Sequence, residues 1–405
     1  MLASATAAPF TLLIPTVRND FKVLAFEGTE AISVLYSIHI ELVSEYPDFD
    51  LESLLNQPAF LQFGLNGEGI HGLIARVSVG DAGKRLTRYR MHLVPALHDL
   101  QFSHDQRIFQ NQTAPQIIAQ VLKGHGIQAD AVTFHVRTSI ERKYCTQYRE
   151  SDFEFVQRLC AEEGIAWHHQ HSREGHVLVF SDDQTAFAKL GETPYLQGAG
   201  LVAEYPVVSR FSMRYSTRAS KVTRRHYDPK RPNARLESRF IAEFSPELED
   251  YRYPMFFESE KHGKQLTRQA LERHRADYQL AEGKSDQPSL RSGHFFSLTQ
   301  HPRATYNDLW LLLSVTHTGK QPQVLEESFT DTEGNFTQGY RNSFSAIPWD
   351  VFYRPPMPAQ RPALVCQTAR VTGPAGEEIY CDEDGRVKVE FHWDRAEHNS
   401  EKSSC

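Results

Sequence analysis

No stretch of the 405 residues approaches the run of about 18–20 apolar side chains that spans a bilayer, so a helical membrane anchor is not expected. The opening segment, Met1 to Pro9, has neither a basic flank nor a long apolar block, and a conventional secretory signal is not expected either. Cysteine is scarce. Cys145, Cys160, Cys366, Cys381 and Cys405 are odd in number, widely spaced and without a C-x-x-C pair. That pattern reads as reduced thiols made in the cytoplasm and supports neither a disulfide framework nor a zinc module. Surplus positive charge is also missing. Lys and Arg number 44 against 51 Asp and Glu, a net −7, which argues against a protein held to nucleic acid by global phosphate neutralisation. What is present, 40% hydrophobic and 23% charged residues, is the composition of a folded chain, and its length predicts about two to four domains.

Period-two alternation dominates. Ile32, Val34, Tyr36, Ile38, Ile40 and Leu42 recur on one face of a strand expected over 31–42, with Ser33, Ser37, His39 and Glu41 on the other. Tyr89, Met91 and Leu93 alternate with Arg88, Arg90 and His92 in the same way, and 70–79 reads as a strand after the turn at 66–69. The first hundred residues suggest a β-barrel or sandwich. Thr113-Ala114-Pro115 opens a helix whose apolar face is Ile117, Ile118, Val121 and Leu122. Ser151 and Glu154 form a capping box for a second helix that Gly164 ends. A third helix is expected over about 261–282, stopped by Gly283. The strands at 165–171 and 176–180 are expected to pair across the turn at Arg173-Glu174-Gly175. Four prolines within 354–362 suit a linker, and beyond it Val387, Val389, Phe391 and Trp393 alternate on a new strand after the Asp384-Gly385 turn.

Candidate chemistry is thin. His168, His169, His171 and His176 are the best metal cluster, but no Cys pair or H-E-x-x-H helix accompanies them, and the solvent side of a hairpin is expected instead. Asp182-Asp183 and Asp382-Glu383-Asp384 are paired carboxylates of the kind acid–base chemistry uses, placed where such residues usually solvate turns. There is no nucleophile elbow, P-loop or dinucleotide fingerprint. Gly373-Pro374-Ala375-Gly376 leads into strand residues and cannot set a helix N-terminus against phosphate. The basic stretch Lys221, Arg224, Arg225, His226, Lys230, Arg231 and Arg235 has Tyr227 as its sole aromatic and reads as a solvated loop or strand end. No catalytic, cofactor-binding or metal residue is assigned.

Several ordered segments nevertheless resemble one family. They are Asp105-Gln106-Arg107-Ile108-Phe109-Gln110, then Gln147-Tyr148-Arg149-Glu150-Ser151-Asp152-Phe153-Glu154-Phe155 closing with Glu162-Glu163-Gly164-Ile165. Asn342-Ser343-Phe344, Ala346-Ile347-Pro348, Arg354-Pro355-Pro356 and Gln367-Thr368-Ala369 follow. The stretch from Val371 to Tyr380, Asp384-Gly385-Arg386-Val387-Lys388-Val389, Phe391-His392-Trp393-Asp394-Arg395 and Ser403-Ser404-Cys405 complete the set. In this order the chain resembles VgrG, the type VI secretion spike related to the baseplate hub of contractile phage tails. The resemblance implies a mainly β chain with a few inserted helices (β-rich α+β), made of tandem phage-hub-like β-barrels followed by the start of an OB-fold. It implies a first hub barrel within 1–110, a helix-containing insertion over 111–180, a second barrel and remaining hub elements over 181–353, the Pro-rich linker at 354–362 and a truncated OB-fold from 363 to 405.

The same resemblance implies a structural component and not an enzyme. It predicts a homotrimer docking to an Hcp-like hexameric tube and to baseplate components, with a PAAR-type tip protein and effectors carried by a needle beyond Cys405. It implies assembly in the bacterial cytoplasm and expulsion by the type VI system without a signal peptide, with no nucleic acid bound and no stable membrane insertion. A phage tail hub is the alternative. A hub-associated cell-wall hydrolase and a free-standing sugar-binding β-module are the remaining readings.

Overall fold

Alternating side chains build the first sheet of the computed structural model. It describes residues 10–395 apart from 65, 84, 198–204, 229, 231–232, 234–235, 256, 258, 326–337, 359–365, 375 and 377–379. β1 (Thr11–Leu13), β2 (Lys22–Ala31), β3 (Val34–Ser44), β4 (Pro58–Gln62), β5 (Gly69–Ala82) and β6 (Thr87–Val94) pair antiparallel in the order β1-β4-β5-β6-β3-β2. Ile40 lies opposite Met91 and Leu42 opposite Tyr89. With Tyr36, Ile38 and Leu93 they enter a core that also holds Val23, Phe26, Leu61 and Ile74. One correction arises here. The strand expected over 31–42 breaks at Ser33, where φ of +59° turns the chain between β2 and β3. Val34 is consequently exposed, and Ile32 leaves the shared face for a cluster with Phe187, Leu311 and Ile347.

The next unit comprises β7 (His104–Gln112), α1 (Ala114–Gly124), β8 (Val132–His135), β9 (Arg142–Ser151), α2 (Asp152–Glu163), β10 (Ala166–His171) and β11 (His176–Ser181). Its helices start where the sequence signals them. Pro115 occupies the first turn of α1, and the Gln116 side chain accepts from the Thr113 N–H at 2.9 Å. At α2 the Glu154 carboxylate accepts from the Ser151 N–H at 2.8 Å while the Ser151 hydroxyl accepts from the Glu154 N–H at 3.2 Å. Gly164 closes it in the left-handed region, φ +70°. The buried stripes Ile117, Ile118, Val121, Leu122 and Phe155, Val156, Leu159, Cys160 share a core with Trp167 and Phe180, which face each other across β10 and β11.

The remaining elements are β12 (Lys189–Pro194), β13 (Val208–Tyr215), β14 (Lys221–His226), β15 (Leu236–Ile241), β16 (Glu249–Arg252), α3 (Glu260–Arg275), β17 (Gln279–Ser285), β18 (Phe295–Thr299), β19 (Leu309–Lys320), β20 (Gly339–Pro348), β21 (Ala369–Thr372) and β22 (Lys388–Phe391). β19 fuses the halves. It pairs with β2 on one side and β20 on the other, so the first sheet continues as β2-β19-β20-β17-β13 within twelve strands. Phe211, Phe296, Trp310 and Phe344 fill the second half's core. A smaller sheet, β15-β14-β16, carries α3 on one face. The expected third helix also needs correction: α3 ends at Arg275, and 279–285 is strand β17, with Ala281, Gly283 and Ser285 turned inward. Gly283 is not a helix stop. A Cβ there would fall 2.2 Å from the Phe344 ring, so glycine permits the close approach of β17 to β20. β21 and β22 pair after the proline-rich stretch, with Gly385 at φ +74° in the turn before β22. Residues 359–362 of the expected linker and Ser403-Ser404-Cys405 lie outside the described residues.

Candidate functional site

The hairpin histidines are not on the solvent side as expected. His168 and His169 are buried, and the side chain of His171 is 3% exposed. The β10–β11 hairpin folds back on the first sheet, so Tyr36 of β3 packs edge-on against the rings of both His169 and His171, with centroids at 4.9 and 5.1 Å. Tyr36 donates its hydroxyl to the His71 carbonyl at 2.6 Å, and His71 Nδ1 meets His176 Nδ1 at 3.0 Å. On the other flank His168 lies edge-on to Phe187 and His294. No group of three or more His, Cys, Asp or Glu among the described residues is placed to hold a metal ion.

Glu30 holds the centre of this junction. It is 2% exposed on β2, with His317 Nε2 of β19 at 2.9 Å, Arg291 Nε at 3.9 Å and His171 Nε2 at 4.0 Å. Arg291 donates to the carbonyls of Pro288, Leu290 and Gly69, and His317 Nδ1 meets the Tyr340 hydroxyl at 2.6 Å. Burial is the first cause of every histidine shift here. It holds His169 and His171 well below the usual imidazole range, with neighbouring imidazoles adding to the effect, and brings His176 to about 4 and His168 to about 3. The imidazoles are therefore neutral near pH 7, and one carboxylate and one guanidinium carry the charge of the junction. Its chemistry is that of a cross-brace: it ties the first sheet, the hairpin and the second half together. Glu30, His71, Arg291, His294 and His317 are absent from the sequence expectations. The available signal was Glu30 itself, an acid in phase with Phe26 and Gly28 on the inward face of β2.

The other candidates fall into structural roles. Asp182 Oδ2 accepts from the Arg137 and Thr138 N–H groups, and Asp183 accepts from the Thr185 N–H. Asp382 accepts from the Asp384 and Arg386 N–H groups in an exposed turn. The basic stretch is not a free loop: Lys221, Arg224, Arg225 and His226 lie on β14, the middle strand of its sheet. Lys221 meets Glu249 at 2.9 Å, the buried Arg224 meets Asp250 at 2.7 Å, Arg225 meets Glu237 at 3.7 Å and Lys230 meets Asp384 at 2.8 Å. Arg231 and Arg235 lie outside the described residues. Cys145 and Cys160 are buried free thiols that burial pushes upward, while Cys366 and Cys381 are exposed. Gly373, Pro374 and Gly376 flank the end of β21, with no helix there. No helix among the described residues is long and apolar enough to cross a membrane.

A second brace forms at the proline-rich stretch. Arg354 is 6% exposed; its Nε donates to Glu272 of α3 at 2.8 Å, and Nη1 donates to the carbonyls of Gly164 and Asp182 at 2.8 and 2.6 Å.

Comparison with known proteins agrees with this architecture. Residues 29–323 match the family described as phage tail baseplate hub (GPD). Two proteins of Pseudomonas aeruginosa, the type VI secretion system spike proteins VgrG4b and VgrG5, are 53% and 52% identical over 416 aligned residues, covering 100% of this chain and 52% and 53% of their own length. The chain thus spans about half the length of the curated relatives it matches. The solved structure of the E. coli c3393 protein, described as a type VI secretion component similar to the T4 tail proteins gp27 and gp5, superposes with a TM-score of 0.72. That match has 23% identity and covers 94% of this chain and 88% of that one.

Proposed function

The chain belongs to the phage tail baseplate hub (GPD) family, and from that premise we propose that it is the hub of a homotrimeric type VI secretion spike, docking beneath an Hcp-like hexameric tube and passing load to a puncturing tip. The observation that carries this reading is the 53% identity to a spike protein along the whole chain. The geometry supports it: two β-rich halves share one sheet through β19, and buried braces hold them in one orientation. Three copies presenting two such halves each offer six similar surfaces to a sixfold tube, which is the symmetry match a hub requires. Residues 363–405 are assigned as the start of an OB-fold, preceded by the 354–362 connection. Baseplate components, a PAAR-type tip and effectors are the further partners, and the spike is assembled in the cytoplasm and expelled by the type VI machinery. No catalytic role is assigned, because Asp182, Asp183 and Asp382 accept from backbone N–H groups at turns.

Light scattering on the purified chain tests the assignment. A species near three times 46.3 kDa is expected. A chain that stays monomeric at high concentration, even when joined to the C-terminal half of a spike relative, overturns it. A phage tail hub is the second reading, favoured by the description of the matching family; gene neighbours separate the two.

A further inference from the structure

The base and the tip of the β10–β11 hairpin are held in different ways. At the base, Trp167 faces Phe180 across the two strands inside the apolar core, and β11 also pairs with β8 over 178–181. Ser33, between β2 and β3, ties this end to the first sheet. Its N–H donates to the Trp167 carbonyl at 2.7 Å, and its hydroxyl accepts from the Trp167 N–H at 3.2 Å. At the tip, His171 lies opposite His176, and the rings of His169, His171 and His176 meet Tyr36 of β3 with centroids at 4.9, 5.1 and 6.1 Å.

Two hydrogen bonds at this tip require neutral rings. The Ala96 N–H, just past β6, donates to His176 Nε2 at 3.1 Å. A ring nitrogen that accepts carries no proton, so the proton of neutral His176 sits on Nδ1 and is donated to His71 Nδ1 of β5 at 3.0 Å. A proton added to His176 Nε2 or to His71 Nδ1 sets donor against donor and turns the contact into a repulsion. His171 has both ring nitrogens buried without a hydrogen-bond partner, so a charge there gains no acceptor. The three hairpin rings lie with centroids 5.6, 6.2 and 6.3 Å apart, close enough for their charges to repel.

The charged groups packed around the tip do not relieve this. Glu30 of β2 is 4.0 Å from His171 Nε2, but His317 of β19 and Arg291 already share it. Arg291 opposes a proton on His171, and burial opposes one on His71, His169, His171 and His176 alike. Glu174 favours a proton on His71 but is exposed in the turn, and Glu68 accepts from the Asn66 N–H and side-chain amide. Arg173 and His294 bring no negative charge. A cavity of about 420 Å³, lined by Phe60, Glu68, His169, His171, Arg291 and His294, lies beside the tip and leaves room for water to reach it.

We propose that the hairpin tip, residues 169–177, is an acid-operated latch: it is closed on the first sheet while its imidazoles are neutral and opens when His169, His171 and His176 take up protons, the base staying anchored at Trp167. The response is steep because the rings act together. A ring that is neutral when closed and has the ordinary value of 6.5 when open shifts the equilibrium towards opening by up to about tenfold per pH unit below 6.5, and three such rings by up to about a thousandfold. This local opening is separate from the loss of global stability in acid, and it does not require the spike assignment.

Hydrogen exchange read by mass spectrometry on the full chain at pH 7.5 and 5.0 tests it, with labelling times scaled to the intrinsic exchange rate. Protection at Ala96 and over 169–177 is expected to fall at least about a hundredfold more than protection in β19 and β20. His176→Gln leaves an amide oxygen to accept from the Ala96 N–H but removes one titrating ring, and it is expected to reduce that difference by about tenfold. Should that variant fail to fold, His171→Met removes a ring that makes no hydrogen bond and is expected to have the same effect. An equal fall at the tip and in β19 and β20 overturns the proposal, because acid then acts on the whole fold alone. An undiminished difference in a folded variant overturns it as well, because these rings are then not the trigger.

Discussion

Glu30 is the residue on which the junction depends, because its charge is buried and its partners come from other parts of the chain. His317 Nε2 lies at 2.9 Å and Arg291 Nε at 3.9 Å. Glu30→Gln keeps the shape but leaves the guanidinium without its counter-charge, and removing one partner of a buried pair costs about 3 kcal/mol. Urea unfolding is expected to show that loss at pH 7.5, and an unchanged midpoint would remove Glu30 from the brace. The histidines around it make stability depend on acid. In the folded chain burial lowers His176 to about 4 and His168 to about 3, from an ordinary value of 6.5. The unfolded chain therefore binds protons first as the pH falls. The stability these groups contribute is complete above pH 6.5 and is lost progressively as the pH drops through 6.5 towards 4 for His176 and 3 for His168. Melting temperatures measured from pH 7.5 to 4.5 are expected to fall over that window. His168 has both ring nitrogens buried without partners, so His168→Leu removes a polar group that gains nothing. That variant is expected to melt no lower than the parent at pH 7.5 and to show a shallower acid slope.

At the scale of elements, the parts legible in the sequence are those whose signals are local. The first two helices were readable because Pro115, the Ser151–Glu154 pair and Gly164 act within one turn of themselves. Ser151→Ala removes the acceptor of the Glu154 N–H and is expected to cost about 1 kcal/mol in chemical denaturation. Elements misread over 31–42 and 261–282 depend on distant chain. Ser33 turns the backbone because β2 and β3 must both reach the same sheet, and Gly283 lies in a strand because β20 supplies its neighbour. The histidine junction was illegible for the same reason, since Tyr36, His71 and His294 are far from the hairpin in sequence. Gly283→Ala tests this directly. A methyl group there meets the Phe344 ring, so overpacking is expected to cost about 2 kcal/mol, whereas a true helix stop would lose far less.

Across the whole molecule, the two halves are held in one orientation by contacts between elements far apart in sequence. The fold class and family were legible because ordered motifs run from 105 to 405, but none of them announced that Arg354 would be buried. Its guanidinium joins α3 through Glu272, the end of α2 through the Gly164 carbonyl and the end of β11 through the Asp182 carbonyl. The proline-rich stretch therefore leaves the hub from an anchored residue. Pro355 is tied as well, its carbonyl accepting from Arg273. Arg354→Ala strips donors from two carbonyls and one of two guanidinium partners from the half-buried Glu272, which Arg268 still holds at 2.8 Å. A loss of about 3 kcal/mol is expected, together with faster proteolysis at 355–358, because α3 and this stretch release from α2. Arg354→Lys is expected to recover only part of the loss, since one ammonium cannot span the acceptors that the planar fork reaches. If Arg354→Ala leaves proteolysis at 355–358 unchanged, the orientation of that stretch is set elsewhere and the anchor is only a local contact.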